Sequence, residues 1–122
     1  MKVLHVEDDS NIQRATCRLL RRMFDRLDPW VADRADLGIA YLRDAELTAP
    51  FDLVICDWDL AGRNGGKAVL EWVREHCSRL VPRFIFFSAN DDAALQGVAY
   101  VEKPCDLVTL RAAITAACES RV

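Results

Sequence analysis

At 122 residues the chain can bury one core of ordinary size and is expected to form one domain over 1–122. It is 52% apolar and 29% charged, as globular proteins are, and a net charge of −3 argues against nucleic acid as a direct partner. No run approaches the roughly 18 apolar residues of a membrane span, and the start, Met-Lys-Val-Leu-His-Val-Glu-Asp-Asp, reaches charge too soon for a signal peptide, so a cytoplasmic location is expected.

Lys2 to Val6 reads as a strand that runs straight into Glu7, Asp8 and Asp9. Ser10 is placed to cap a helix in which Ile12, Ala15, Leu19, Leu20, Met23, Phe24 and Leu27 recur at helical spacing. Arg14, Arg18, Arg21, Arg22 and Arg26 read as its solvated face, with a docking patch for an acidic partner as the alternative. Asp28-Pro29 is expected to end this helix. Trp30 to Ala32 gives a weak second strand, and Leu37 to Glu46 a second helix. Phe51 to Cys56 is almost continuously apolar, as a strand covered on both faces must be. The stretch Ala61-Gly62-Arg63-Asn64-Gly65-Gly66 is loop chemistry. A third helix is expected from Lys67 to Cys77, with Val69, Leu70, Val73 and Cys77 inward. Arg83 to Phe87 is a fourth buried strand and Tyr100 to Glu102 a short fifth. Asp106 is placed to cap a last helix lined by Leu107, Leu110, Ile114, Ala117 and Cys118. The five cysteines (Cys17, Cys56, Cys77, Cys105, Cys118) are odd in number and show no C-x-x-C pair, so free thiols are expected rather than a disulfide framework or zinc site.

This βα alternation predicts an α/β fold, a parallel sheet doubly wound with helices on both faces. In such sheets reactive groups gather outside the carboxyl ends of the strands. That rule selects Glu7, Asp8 and Asp9 after the first strand, Asp57 after the third, Ser88 after the fourth and Lys103 after the fifth. Each alone has a plainer reading, as a helix cap, a turn residue or a surface lysine. Their common position at strand ends favours a site. Glu7, Asp8 and Asp57 crowded at one edge repel one another unless a cation joins them, and Mg2+ suits carboxylates plus phosphate oxygens. Lys103 adds a point charge and Ser88 a hydroxyl, making a site for an anionic group transferred to a carboxylate.

His5-Val6-Glu7-Asp8-Asp9, the run Phe51 to Gly62, the run Phe84 to Asn90 and Tyr100-Val101-Glu102-Lys103-Pro104 together resemble the signatures of response-regulator receiver domains, in the family's order and over essentially the whole chain. The resemblance implies a flavodoxin-like, five-stranded sheet of order 2-1-3-4-5. It implies that Asp57 accepts a phosphoryl group from a histidine kinase or histidine phosphotransfer protein. Glu7, Asp8, Asp57 and the backbone carbonyl of Asp59 would hold Mg2+ or Mn2+. Ser88, the backbone N–H of Ala89 and Lys103 would bind the phosphoryl group. Ser88 and Tyr100 would form the conformational switch, and Asp59 and Asn90 would tune the phosphate's lifetime. The output would pass to a downstream protein or to an output domain outside this sequence.

Three positions and one stretch depart from the pattern. Ala61 stands where proline is usual, Cys105 replaces a commonly aromatic residue, and Asp59 adds a carboxylate whose carbonyl alone is needed for the metal. The stretch 89–99 is barely the roughly 10–12 residues that a crossover with its helix requires, so the fourth helix is expected to be short, near Asp91 to Gln96, or missing. An altered docking face follows. A receiver-like module that binds partners without phosphorylation is therefore the alternative function. A nucleotide-binding loop at Gly62 to Lys67 fails the required spacing, and a flavin protein of the same fold has no need of three converging carboxylates.

Overall fold

Strands buried on both faces need a cover on each, and helices on the two sides of the sheet supply it. The computed structural model describes residues 1–60, 65–103 and 107–119. Strands β1 (Lys2–Val6), β2 (Asp28–Ala32), β3 (Leu53–Cys56), β4 (Phe84–Ser88) and β5 (Ala99–Glu102) form one parallel sheet in the order β2-β1-β3-β4-β5. Helices α1 (Ser10–Met23), α2 (Ala35–Glu46), α3 (Gly65–His76) and α4 (Leu107–Glu119) pack on it. The five-stranded, doubly wound architecture and its strand order are those expected.

The two-residue period of a strand sorts the core into two layers. Leu4, Val6, Val54, Cys56, Phe84 and Phe86 join Leu42 and Ala45 of α2 and Val69, Leu70 and Val73 of α3. Val3, Leu53, Ile55, Ile85 and Phe87 join Leu19 and Leu20 of α1 and Leu110, Ile114 and Ala117 of α4. The arginines of the first helix, Arg14, Arg18, Arg21 and Arg22, are exposed, as is Arg26 beyond it. Among the described residues no helix is long and apolar enough to cross a membrane, and Cys17, Cys56, Cys77 and Cys118 are free thiols.

Several boundaries differ from expectation. Asp9, not Ser10, caps α1, its carboxylate accepting from the backbone N–H groups of Asn11 (2.8 Å) and Ile12 (3.2 Å). An ionised oxygen beside the positive end of a helix outcompetes a hydroxyl one residue later. The helix stops at Met23 and not at Asp28-Pro29, which belongs to β2, an edge strand where a missing N–H is tolerated. Phe24 and Leu27 still pack against the core, outside the helix. Gly65 and Gly66 form the first turn of α3 rather than loop. A 3-10 helix at Ser78–Arg83 was not expected. Between β4 and β5 the crossover holds a single 3-10 helix, Asp91–Leu95, so the shortened fourth helix is as expected. Arg74 of α3 reaches across to the Gln96 carbonyl and ties the crossover down. The expected loop at 61–64, the cap at Asp106, the residue Cys105 and the inward side chain of Leu107 lie outside the described residues.

Candidate functional site

The sheet order sets β1 between β2 and β3, so the chain leaves β1 and β3 side by side at their carboxyl ends. Glu7 follows β1 and Asp57 follows β3, the backbone N–H of Asp57 bonding to the Val6 carbonyl at 2.9 Å. Ser88 ends β4, and Lys103 follows β5 with its N–H donating to the Ser88 carbonyl at 2.9 Å. The selected residues therefore converge. Carboxylate oxygens of Glu7, Asp8 and Asp57 all lie within 4.8 Å of one another. Asp59, Ala89 and Asn90 line a cleft of about 450 Å³ with Asp57, Ser88 and Lys103.

The three consecutive acids after β1 divide their tasks. Asp9 caps α1, whereas Glu7 and Asp8 turn towards Asp57. Glu7 is almost completely buried, and Asp8 is exposed. Burial pushes the Glu7 carboxyl up to about 7 against the hydrogen bond and charge of Lys103, with the charge of Asp57 adding to the rise. The Lys103 ammonium stands 2.5 Å from Glu7 Oε1 and 3.4 Å from Asp57 Oδ2. It also lies 5.2 Å from the centre of the Phe87 ring, whose face favours a cation. Removing one partner from such a buried pair costs roughly 3–5 kcal/mol, because the other charge is left uncompensated.

Backbone donors complete the acid cluster. Asp59 N–H donates to Asp57 Oδ1 at 3.2 Å and Asp9 N–H to Glu7 Oε2 at 3.3 Å. On the other wall, the Ser88 hydroxyl is fully buried and accepts from the Asn90 N–H at 3.1 Å. Tyr100, half-buried on β5, donates its hydroxyl to the Ser88 carbonyl at 3.1 Å. Ser88 and Tyr100 are thus in direct contact. The donor set, three oxygens from carboxylates and no soft ligand, fits a hard divalent cation.

Two positioning residues were not singled out from the sequence. Gln13 Nε2 donates to the Glu7 carbonyl at 2.6 Å and fixes the turn between β1 and α1. Gly66 donates its N–H to the Trp58 carbonyl at 3.0 Å, and a Cβ there would lie 2.3 Å from the Asp57 carbonyl oxygen. The paired glycines just after the strand-end aspartate were the available signal, for close backbone approach needs glycine.

Neither a family model nor a curated protein matches the sequence. Solved structures do match the fold. A response regulator receiver protein from Sinorhizobium medicae superposes with a TM-score of 0.82 at 19% identity, covering 100% of this chain and 97% of that one. The receiver domain of the Erythrobacter litoralis response regulator PhyR gives 0.72 at 25% identity, covering 99% and 94%. The Mn2+-bound form of the response regulator Rcp1 gives 0.71 at 18% identity, covering 93% and 89%. The chain has the fold of these receiver domains.

Proposed function

We propose that this chain, which folds as response-regulator receiver domains do, is itself a receiver: a signalling domain over residues 1–122 that takes a phosphoryl group onto Asp57. The observation that carries the reading is the convergence of Glu7, Asp8 and Asp57 with Lys103 at the carboxyl edge of the sheet, beside the buried Ser88 hydroxyl. A carboxylate oxygen of Asp57 attacks phosphorus in line, the bond to the donor's imidazole nitrogen or acyl oxygen breaks, and the donor leaves with that electron pair. The product is an acyl phosphate on Asp57, which water later hydrolyses. Lys103, Ser88 and the Ala89 N–H take the phosphoryl oxygens, the lysine by charge and the other two by hydrogen bonds. Glu7, Asp8, Asp57 and the Asp59 carbonyl would hold Mg2+, or Mn2+ as in Rcp1, and the ion would offset charge on the transferring group.

The source of the phosphoryl group is a histidine kinase or histidine phosphotransfer protein, in the cytoplasm. The signal leaves through Ser88 and Tyr100. A phosphoryl oxygen draws the serine hydroxyl, and the tyrosine repacks against the space this opens, a local charge biasing two packings. Asp59 and Asn90, both at the cleft, set how readily water reaches the acyl phosphate. The output is docking on a protein target or on a linked output domain.

Incubation with acetyl phosphate and Mg2+ tests the reading. Intact-mass measurement is expected to show one acid-stable, base-labile phosphoryl adduct on the wild type and none on Asp57→Asn. A phosphorylation-independent interaction module predicts no adduct on either protein, and that result would overturn the proposal.

A further inference from the structure

A cavity of about 200 Å³ lies where β1 and β3 begin, at the opposite end of these strands from Asp57. The two-residue period of β1 sets Lys2 on the same face as Leu4 and Val6, towards α2, and Trp30 stands beside Leu4 in the register of β2. Phe51, just before β3, and Tyr41 of α2 close two further sides. The Phe51 ring stands at 89° to that of Trp30 with centroids 6.0 Å apart, and the Tyr41 ring at 74° and 5.1 Å. The Lys2 ammonium lies among them, 4.8 Å from the centre of the Phe51 ring and 5.1 Å from that of Trp30. Both are within the ~6 Å over which an aromatic face attracts a cation. Lys2 Nζ also donates to the Ala49 carbonyl at 2.6 Å, and Asp44 of α2 adds a carboxylate to the lining. The walls are fixed before anything enters. Phe51 is 2% exposed, and Lys2 and Asp52 exchange hydrogen bonds of 2.8 Å that pin β1 to the chain entering β3.

We propose that this aromatic cavity is a binding site for a methylated ammonium group, and that Lys2 is the internal occupant which such a ligand displaces. The cavity shares no residue with the acidic cluster, so it is independent of the receiver reading. Aromatic rings set around a cation are how quaternary ammonium groups are held. A primary ammonium is strongly hydrated and has three N–H donors, which the rings do not satisfy as a carbonyl does. A trimethylammonium group carries the same charge, has no donor to satisfy and buries its methyl groups against the rings. Lys2 is able to yield. It is half-buried at the first residue of β1, and its flexible stem lets the ammonium move into water while the strand stays in place. The volume lies below the roughly 300–1,000 Å³ of sites for drug-sized ligands, which limits the ligand to a head group of choline's size.

NMR titration of the full chain with choline chloride reads the site through the indole N–H signal of Trp30. Choline is expected to shift that signal in the wild type while those of Trp58 and Trp72 stay in place. Lys2→Ala is expected to bind choline roughly tenfold more tightly, as when a binding-competent state populated to about a tenth becomes the whole. Trp30→Leu is expected to abolish binding, and Tyr41→Leu, which leaves β2 untouched, to weaken it should the first variant not fold. A neutral isostere of choline, with carbon in place of the nitrogen, separates charge from apolar filling and is expected to bind far more weakly. Co-sedimentation with phosphatidylcholine vesicles distinguishes the source of the group: binding of choline alone assigns a free cation, and binding of both a lipid head group. Equal binding of choline and its neutral isostere overturns the site. So does binding to Lys2→Ala with none to the wild type, or choline binding that survives Trp30→Leu and Tyr41→Leu unchanged.

Discussion

His5 shows how much one side chain can tie stability to pH. It sits on β1 with 4% of its surface exposed, and its Nε2 has no hydrogen-bond partner among the described residues. Burial, with the Lys103 charge adding to it, lowers the imidazole from 6.5 to about 3. The folded state therefore holds His5 neutral where the unfolded chain protonates it. Stability from this group is complete above pH 6.5 and is lost progressively as pH falls towards 3. Acidification from pH 6.5 to 5 is expected to cost about 2 kcal/mol through His5, at ~1.4 kcal/mol per pH unit for one proton, while Glu7, raised to about 7, takes up a proton in the folded state over the same range and offsets that loss. Urea unfolding across that range checks it: the wild type is expected to change little, and His5→Leu to gain stability as pH falls. The chain's other histidine, His76, is exposed on α3 and stacked on Trp72.

Among the elements, α3 depends on one glycine more than on its length. An alanine at Gly66 would place its Cβ 2.6 Å from the Trp58 Cα and closer still to the Asp57 carbonyl, both backbone atoms that cannot swing aside. Gly66→Ala is expected to destabilise the fold by about 2–3 kcal/mol, as overpacking does, with a lower urea midpoint and an unchanged slope. Because the displaced backbone carries Asp57, phosphoryl uptake should fall in the same variant. The apolar periodicity that marks α1, α2, α3 and α4 in the sequence, and the unbroken apolar runs of β3 and β4, place these elements without ambiguity because burial on two layers leaves no other arrangement. What periodicity misses is decided by single backbone contacts. Asp9 and Ser10 are both good caps, and only the direction in which Glu7 and Asp8 turn leaves Asp9 to the helix. Pro29 signals a helix end on its own, yet α1 has already stopped at Met23 and the proline is spent on the sheet edge. The 3-10 helix at Ser78–Arg83 contains Pro82 and has no period long enough to read. The site residues were legible because strand ends are, whereas the Lys103–Glu7 pair depends on side-chain reach and was not.

For the molecule as a whole, the acidic cluster would link a bound divalent ion to the fold. A ligand that binds only the folded chain adds about 2.7 kcal/mol of stability at a hundred times its dissociation constant. Under the receiver reading, saturating Mg2+ is expected to raise the thermal midpoint of the wild type by several degrees, since ~1 kcal/mol moves a domain of this size by about 4 °C. Asp57→Asn should respond far less, and calorimetric scans with and without the ion make the comparison. The Ser88 carbonyl oxygen carries a further consequence. It accepts from the Lys103 N–H at 2.9 Å and from the Tyr100 hydroxyl at 3.1 Å, so both of its lone pairs are in use. A single atom is thus the junction between the main chain at Lys103 and the Tyr100 ring on the outer strand. Under the receiver reading, a shift of that peptide unit reaches both at once, like one knot shared by two cords, and carries the chemistry of the cleft to the surface of β5.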